Sequence, residues 1–224
     1  MTRHGLLVLA FGILFCGSAR TALAQPPQPS RLVRGDVSGL VGWLHVNKSD
    51  LNDQTDNDWY NRGLYGGGVA GWHWTDHHKT EIEAGASSTV RHESYRVIVV
   101  NGVQAAENSR FAFSTQRIAL GQQYQFYRNA WFHPHAGAGV DLTWERTTQN
   151  IAPVYVFGPP LGRPGEIRPA RVVGPDNDLR VRPFGEVGFK AYVSPRGFVR
   201  SDLRVLARGG IDEVQLRFGF GVDF

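Results

Sequence analysis

VQLRFGFGVDF, residues 214–224, is the stretch that decides the fold. Taking every second residue puts Val214, Leu216, Phe218, Phe220, Val222 and Phe224 on one face. Gln215, Arg217, Gly219, Gly221 and Asp223 fall on the other. A period of two is the side-chain repeat of a β-strand. A strand divided this sharply needs an apolar medium on one side and a polar or tightly packed one on the other. The run also exceeds the ordinary strand of about 5–6 residues. It matches the roughly 9–11 residues of a tilted strand that crosses a bilayer.

The pattern recurs upstream. In 130–145, Phe132, Pro134, Ala136, Ala138, Val140, Leu142 and Trp144 oppose His133, His135, Gly137, Gly139, Asp141, Thr143 and Glu145. Val199, Leu203, Val205 and Ala207 oppose Arg200, Asp202, Arg204 and Arg208. Val187, Phe189, Ala191 and Val193 oppose Arg182, Glu186, Lys190 and Tyr192. Ile82, Ala84, Ala86 and Val90 oppose Glu81, Glu83, Ser87, Thr89 and Arg91. Segments 37–46, 59–74 and 111–125 alternate less regularly. Gly66-Gly67-Gly68 in the second of these lacks the Lys-Ser/Thr of a phosphate loop, so it reads as room for bending or close packing. The fold class expected is all-β: an eight-stranded antiparallel up-and-down transmembrane β-barrel.

The connections point the same way. Residues 75–79 (TDHHK), 127–129 and 194–197 (SPRG) are short enough for tight turns. Residues 47–58, 92–110 and 146–178 are long, the second holding an Asn101-Gly102 hairpin turn and the third six of the twelve prolines. Only 209–212 breaks this alternation by being short. Short turns at one end and long loops at the other is the plan of outer-membrane barrels. Trp72, Trp74, Tyr124, Trp131 and Phe224 fall near the turn end, and Trp43, Trp59 and Trp144 near the loop end, where aromatic girdles belong.

The charges decide which face is outside. The polar faces carry Arg91, Arg117, Arg180, Arg182, Lys190, Arg200, Arg204, Arg208 and Arg217 against Glu81, Glu83, Asp141, Glu145, Glu186, Asp202 and Asp223. Burying so many charges in a soluble barrel is prohibitive unless they pair. Placing them outside would instead leave Phe and Trp to fill a small interior. Lipid around the apolar face and ions in the lumen resolve both problems. An eight-stranded lumen is only wide enough for side chains, so the near-balance of signs implies a plug of paired charges.

The first residues stand apart from the barrel. Arg3 and His4 precede the apolar run GLLVLAFGILFCG, and Thr21-Ala22-Leu23-Ala24 ends in an A-x-A pattern. This is expected to be a cleavable signal peptide over 1–24, followed by a Pro-rich linker over 25–31 and the barrel over 32–224. Cys16 lies within the apolar run, so residues 25–224 contain no thiol. Without Arg3 and Arg20 the count is 22 basic to 20 acidic residues, which is no nucleic-acid footprint.

Other chemistry is thinly represented. His133 and His135 share a strand face at a spacing that can bind metal, though a third ligand would have to come from a neighbouring strand. His77-His78 sits in a turn. Asp50, Asp53, Asp56 and Asp58 cluster in the first loop, but Thr55 and Asn61 stand where an EF-hand has Gly and Glu. Ser88, His92, Glu93 and Ser94 gather at one strand end, as a lipid-modifying hydrolase would require. No metal site and no catalytic residue is assigned, and no cofactor is expected.

Ala22-Leu23-Ala24, the eight alternating segments and the ending Val222-Asp223-Phe224 resemble the small outer-membrane β-barrel family of OmpA/OmpX type. The resemblance implies Phe224 as the signal read by the barrel-assembly machinery. It also implies outer-membrane lipid and lipopolysaccharide as surroundings, a monomer, and export to the outer membrane of a Gram-negative-type bacterium. Some members carry a peptidoglycan-binding domain after the barrel, a role not expected of a chain ending on Phe224. The long third and short fourth loops depart from the commonest layout. The function expected is structural or surface-interacting, with a narrow channel or a lipid-modifying enzyme as alternatives.

Overall fold

In the computed structural model of this protein, residues 34–46, 61–100, 103–126, 131–156 and 165–224 are described, and they form strands and turns with no helix. The expected signal peptide, the linker, the 47–58 loop, the Asn101-Gly102 turn and the 127–129 turn lie outside them. The strands are β1 (Gly35–Val46), β2 (Asn61–His73), β3 (His78–Ser87), β4 (Val90–Val100), β5 (Val103–Gln125) and β6 (Phe132–Ile151). They continue as β7 (Val154–Val156), β8 (Gly165–Arg168), β9 (Arg171–Tyr192), β10 (Gly197–Ala207) and β11 (Ile211–Asp223).

All pairings are antiparallel, and the β1–β11 pairing closes the sheet on itself through β3 and β5. The result is a closed barrel of eight staves. Its stagger can be followed residue by residue. Asp36 pairs with Gly71, Gly71 with Glu81, Glu81 with Gly121 and Gly121 with Gly139. Gly139 then pairs with Phe184, Phe184 with Leu206, Leu206 with Glu213 and Glu213 with Val46. One circuit climbs β1 from Asp36 to Val46, a shear of ten residues. Such a shear forces the strands to tilt and draws the wall around a side-chain-sized lumen. The seam closes at the last residue: Arg34 and Gly35 donate their backbone N–H groups to the Phe224 carbonyl, each at 3.1 Å.

One stave is broken. Ala86 pairs with Gln116 and Val90 with Phe113, so β3 and β4 spend one more residue than β5 over the same distance. That extra residue is a β-bulge, and it exchanges the faces of everything beyond it. The Ser88 hydroxyl accepts the Leu64 N–H at 2.9 Å, and its own N–H donates to the Leu64 carbonyl at 2.8 Å. The Ser88 hydroxyl and N–H are thereby satisfied.

The expected loops at 92–110 and 146–178 are largely strand. β5, β6 and β9 run to 23, 20 and 22 residues, against 12 in β1. Their surplus, with β4, forms a four-stranded flap beyond the rim. Val100 pairs with Val103 across the hairpin tip, and β7 and β8 form a separate ribbon. The reason is physical: pairing with a neighbour satisfies backbone groups whichever way the side chains point. Polar, proline-bearing sequence therefore did not prevent strand formation in 171–178.

The exterior between the two ends carries no charge. β1 shows Val37, Val41 and Trp43 outward, β5 shows Ile118 and Leu120, and β11 shows Leu216, Phe218, Phe220 and Val222, all exposed. Trp72, Trp74, Tyr124, Phe126, Trp131 and Phe224 ring the turn end. The inside is not uniformly polar, however. Leu40, Leu44, Val46, Tyr65, Val69, Val90 and Phe113 form an apolar wall within the barrel. This explains why 37–46 alternates poorly: both of its faces are apolar.

The glycine triplet divides by direction. Gly66 and Gly68 point outward, while Gly67 with Gly85 of β3 makes room for the Tyr65 ring: a Cβ on Gly85 would lie 2.1 Å from the Tyr65 hydroxyl oxygen. Gly85→Ala should therefore destabilise the barrel by about 1–3 kcal/mol through overpacking, read as a lower urea midpoint for unfolding from lipid vesicles. Gly66→Ala should leave the midpoint unchanged.

Candidate functional site

Inward parity brings one continuous set of ions into the lumen. At the turn end, Asp36 accepts from Lys79 at 2.9 Å and from Lys190, with His73 Nε2 3.5 Å away. Lys79 also pairs with Glu81, and Glu81 takes the Arg200 guanidinium at 3.0 Å. Arg200 Nε donates to Asp202 at 2.9 Å, and the other Asp202 oxygen lies 2.9 Å from His135 Nε2.

The centre is a four-way crossing. Arg217 donates to Glu83 at 2.6 Å and to Glu186 at 2.8 Å, and reaches Asp202 at 3.5 Å. Arg204 bridges the same two glutamates, each at 2.8 Å, with its guanidinium 3.9 Å above the Phe184 ring. The Tyr65 hydroxyl donates to Glu83. Above it, Arg117 and Arg182 share Glu213 at 2.8 and 3.2 Å, and Thr143 accepts from Arg182 while donating to Asp141. At the rim, Arg180 pairs with Asp178 at 3.0 Å and approaches Glu145 at 3.8 Å.

Desolvating this many ions is costly, and only short, multiply hydrogen-bonded pairs recover the cost. The forked guanidinium geometry supplies them: each central arginine serves at least two carboxylates. The arrangement can fill and stiffen a lumen. At its centre Arg204 and Arg217 are both at most 2% exposed.

Of the residues singled out from sequence, Glu81, Glu83, Arg117, Asp141, Glu145, Arg182, Glu186, Lys190, Arg200, Asp202, Arg204, Arg217 and Asp223 are buried inside. Three differ. Arg91 is exposed on the outer surface, because the bulge at Ser88-Thr89 reverses parity before it. Arg208 lies in the exposed turn between β10 and β11, where Gly209 takes φ +79°. Arg180 is half-buried at the mouth. Asp36, Lys79, Tyr65 and Glu213 were missed. Lys79 and Glu213 stand two residues before Glu81 and Gln215, so extending each alternation past its assumed turn would have found them. Asp36 carried no such signal, because past Ser38 the large inward side chains of its own strand, Leu40, Leu44 and Val46, are apolar.

The remaining candidates separate. His133 and His135 both face inward and are buried, His133 packing on the Tyr192 ring at 4.8 Å. No three metal-ligating side chains come together among the described residues. Ser88 is exposed outside and His92 buried inside, and Glu93 is held by Arg110 at 2.6 Å, so these residues do not share one surface. His77 and His78 are exposed and pack on Tyr124, and the Asp50–Asp58 cluster lies outside the described residues.

An even, closed, sheared sheet with an apolar outer band and an ionic interior defines the architecture. The chain is a closed eight-stranded antiparallel β-barrel. No family model and no curated protein matches it. Among solved structures, it is similar to the N-terminal β-barrel domain of Pseudomonas aeruginosa OprF, at 13% identity and a TM-score of 0.45, over 85% of this chain and 98% of that one. It is similar to Neisserial surface protein A at 13% identity and a TM-score of 0.47, over 85% and 97%. For the outer membrane protein OprG from Pseudomonas aeruginosa the values are 12%, 0.47, 85% and 96%.

Proposed function

We propose that this protein is a monomeric outer-membrane barrel that holds a surface flap above the bilayer and keeps its own lumen shut. The observation that supports this reading is the interior, where Arg204 and Arg217 pair with Glu83 and Glu186 across the bore while the strands run on past the rim. In this reading lipid surrounds the apolar outer band, the turn end faces the periplasm, and Phe224 serves as the assembly signal on the closing strand. The flap meets the environment, since exposed segments on a rigid scaffold are where binding concentrates. It is braced for that role. Glu107, buried on β5, holds Arg96 of β4 at 2.5 Å and draws Arg168 and Arg171 to 3.9 and 4.0 Å.

Conductance tests the plug. Purified protein in a planar bilayer should give no stable steps above background in molar KCl. Steps proportional to salt concentration would favour a channel and overturn the closed reading.

A further inference from the structure

The wall formed by β4, β5 and β6 changes character in a fixed order along its outer face. Lowest are Ile118, Leu120, Val140 and Trp144, all exposed. Next come Arg91 and Arg146. Arg91 pairs across from Ala112 and Arg146 across from Ser114, so the two arginines stand on either side of β5, two residues apart in register. Two strand spacings and the two-residue offset put their backbones roughly 12 Å apart, over the small side chains of Ala112 and Ser114. Both are exposed, and neither forms an ion pair with a described residue. Immediately beyond lies a cleft of about 570 Å³ lined by Glu93, Tyr95, Asn108, Arg110 and Asn150. Within it Glu93 and Arg110 neutralise one another at 2.6 Å.

We propose that this wall docks a phosphorylated glycolipid of the outer leaflet. The inference rests on the reading of the exterior as lipid-facing. Acyl chains lie on the apolar stretch. A phosphate sits between Arg91 and Arg146, whose guanidinium groups suit its oxygens. The saccharide enters the cleft, where an aromatic ring offers a stacking face and two amides offer paired donors and acceptors. Unpaired outward arginines at the apolar boundary, directly beneath a neutral polar cleft, form that sequence of chemistries on one wall.

The test uses detergent-purified protein and native mass spectrometry with three lipids: phosphorylated lipopolysaccharide, its dephosphorylated form, and phosphatidylglycerol. R91Q/R146Q should weaken phosphorylated lipopolysaccharide about 10- to 30-fold, since each basic residue at an anionic lipid surface is worth about 1 kcal/mol. R196Q/R208Q, which removes two exposed arginines in the turns flanking β10 and away from the cleft, should change it less than about twofold. Tyr95→Ala should weaken lipopolysaccharide and leave phosphatidylglycerol unaffected. Equal binding of the two lipopolysaccharide forms, equal losses in the two double variants, or phosphatidylglycerol binding as tight as lipopolysaccharide would each overturn the proposal. Heat-modifiable migration of every variant reports the barrel separately. A chain that stays soluble without detergent defeats the membrane reading itself, whereas the outcomes above defeat only the docking wall.

Discussion

Arg217→Met should destabilise the barrel by about 3–5 kcal/mol, the cost of stranding a buried charge whose partner is gone. Arg217 is fully buried and stands among Glu83, Glu186 and Asp202. Arg204 still reaches the two glutamates after the change, and Arg200 still holds Asp202. Three carboxylates would then share too little positive charge in a space too narrow for bulk water. Urea titration of the refolded protein in lipid vesicles measures the loss. Arg217→Lys keeps the charge without the planar fork and should fall between wild type and Met. Adding Glu83→Gln to Arg217→Met should recover part of the deficit, because one stranded carboxylate is removed. A loss below about 1 kcal/mol for Arg217→Met would mean that the lumen is wetter than its packing implies.

The second large effect is on the outside. Leu120 faces outward between Ile82 and Val140, its cross-strand neighbours on β3 and β6. It is 55% exposed to the solvent in which the barrel sits. If that solvent is water, Leu120→Arg is an ordinary surface change, worth within about 0.5 kcal/mol. If it is hydrocarbon, an arginine near the middle of the band costs about 2–4 kcal/mol. The expected result is the larger value, measured as a lower urea midpoint and a smaller yield of heat-modifiable protein on folding into vesicles. Gln104→Arg, on the flap beyond the band, should cost little. The contrast between the two positions reports depth rather than a general sensitivity to charge.

The sequence displayed the barrel wherever one face was greasy and the other ionic. Residues 214–224 alternate because β11 has an exposed apolar face outside and Arg217 at the centre of the network inside. β10 and the inner half of β9 follow the same rule, and their staves were placed correctly. Legibility failed where a local event reset parity or where both faces were alike. A single extra residue at Ser88-Thr89 turned Arg91 outward, and nothing in the composition marks a bulge. The apolar inner wall hid the direction of β1 and with it Asp36. Beyond the rim no medium imposes a face, so the extensions of β6 and β9 read as loop although their backbones pair. The ionic site was legible as a set of residues. Which glutamate meets which arginine was not, because ion pairs such as Arg217 with Glu83 span distant staves and depend on the ten-residue stagger.

The most direct measurement is tryptophan quenching by lipids brominated along their acyl chains. Trp43, Trp72 and Trp144 all project outward from the wall, each about half exposed. Folded into such vesicles, the protein should lose most of its tryptophan emission relative to unbrominated lipid. Undiminished emission would mean that these indoles never meet hydrocarbon, and the assignment of the two sides of the barrel would be reversed.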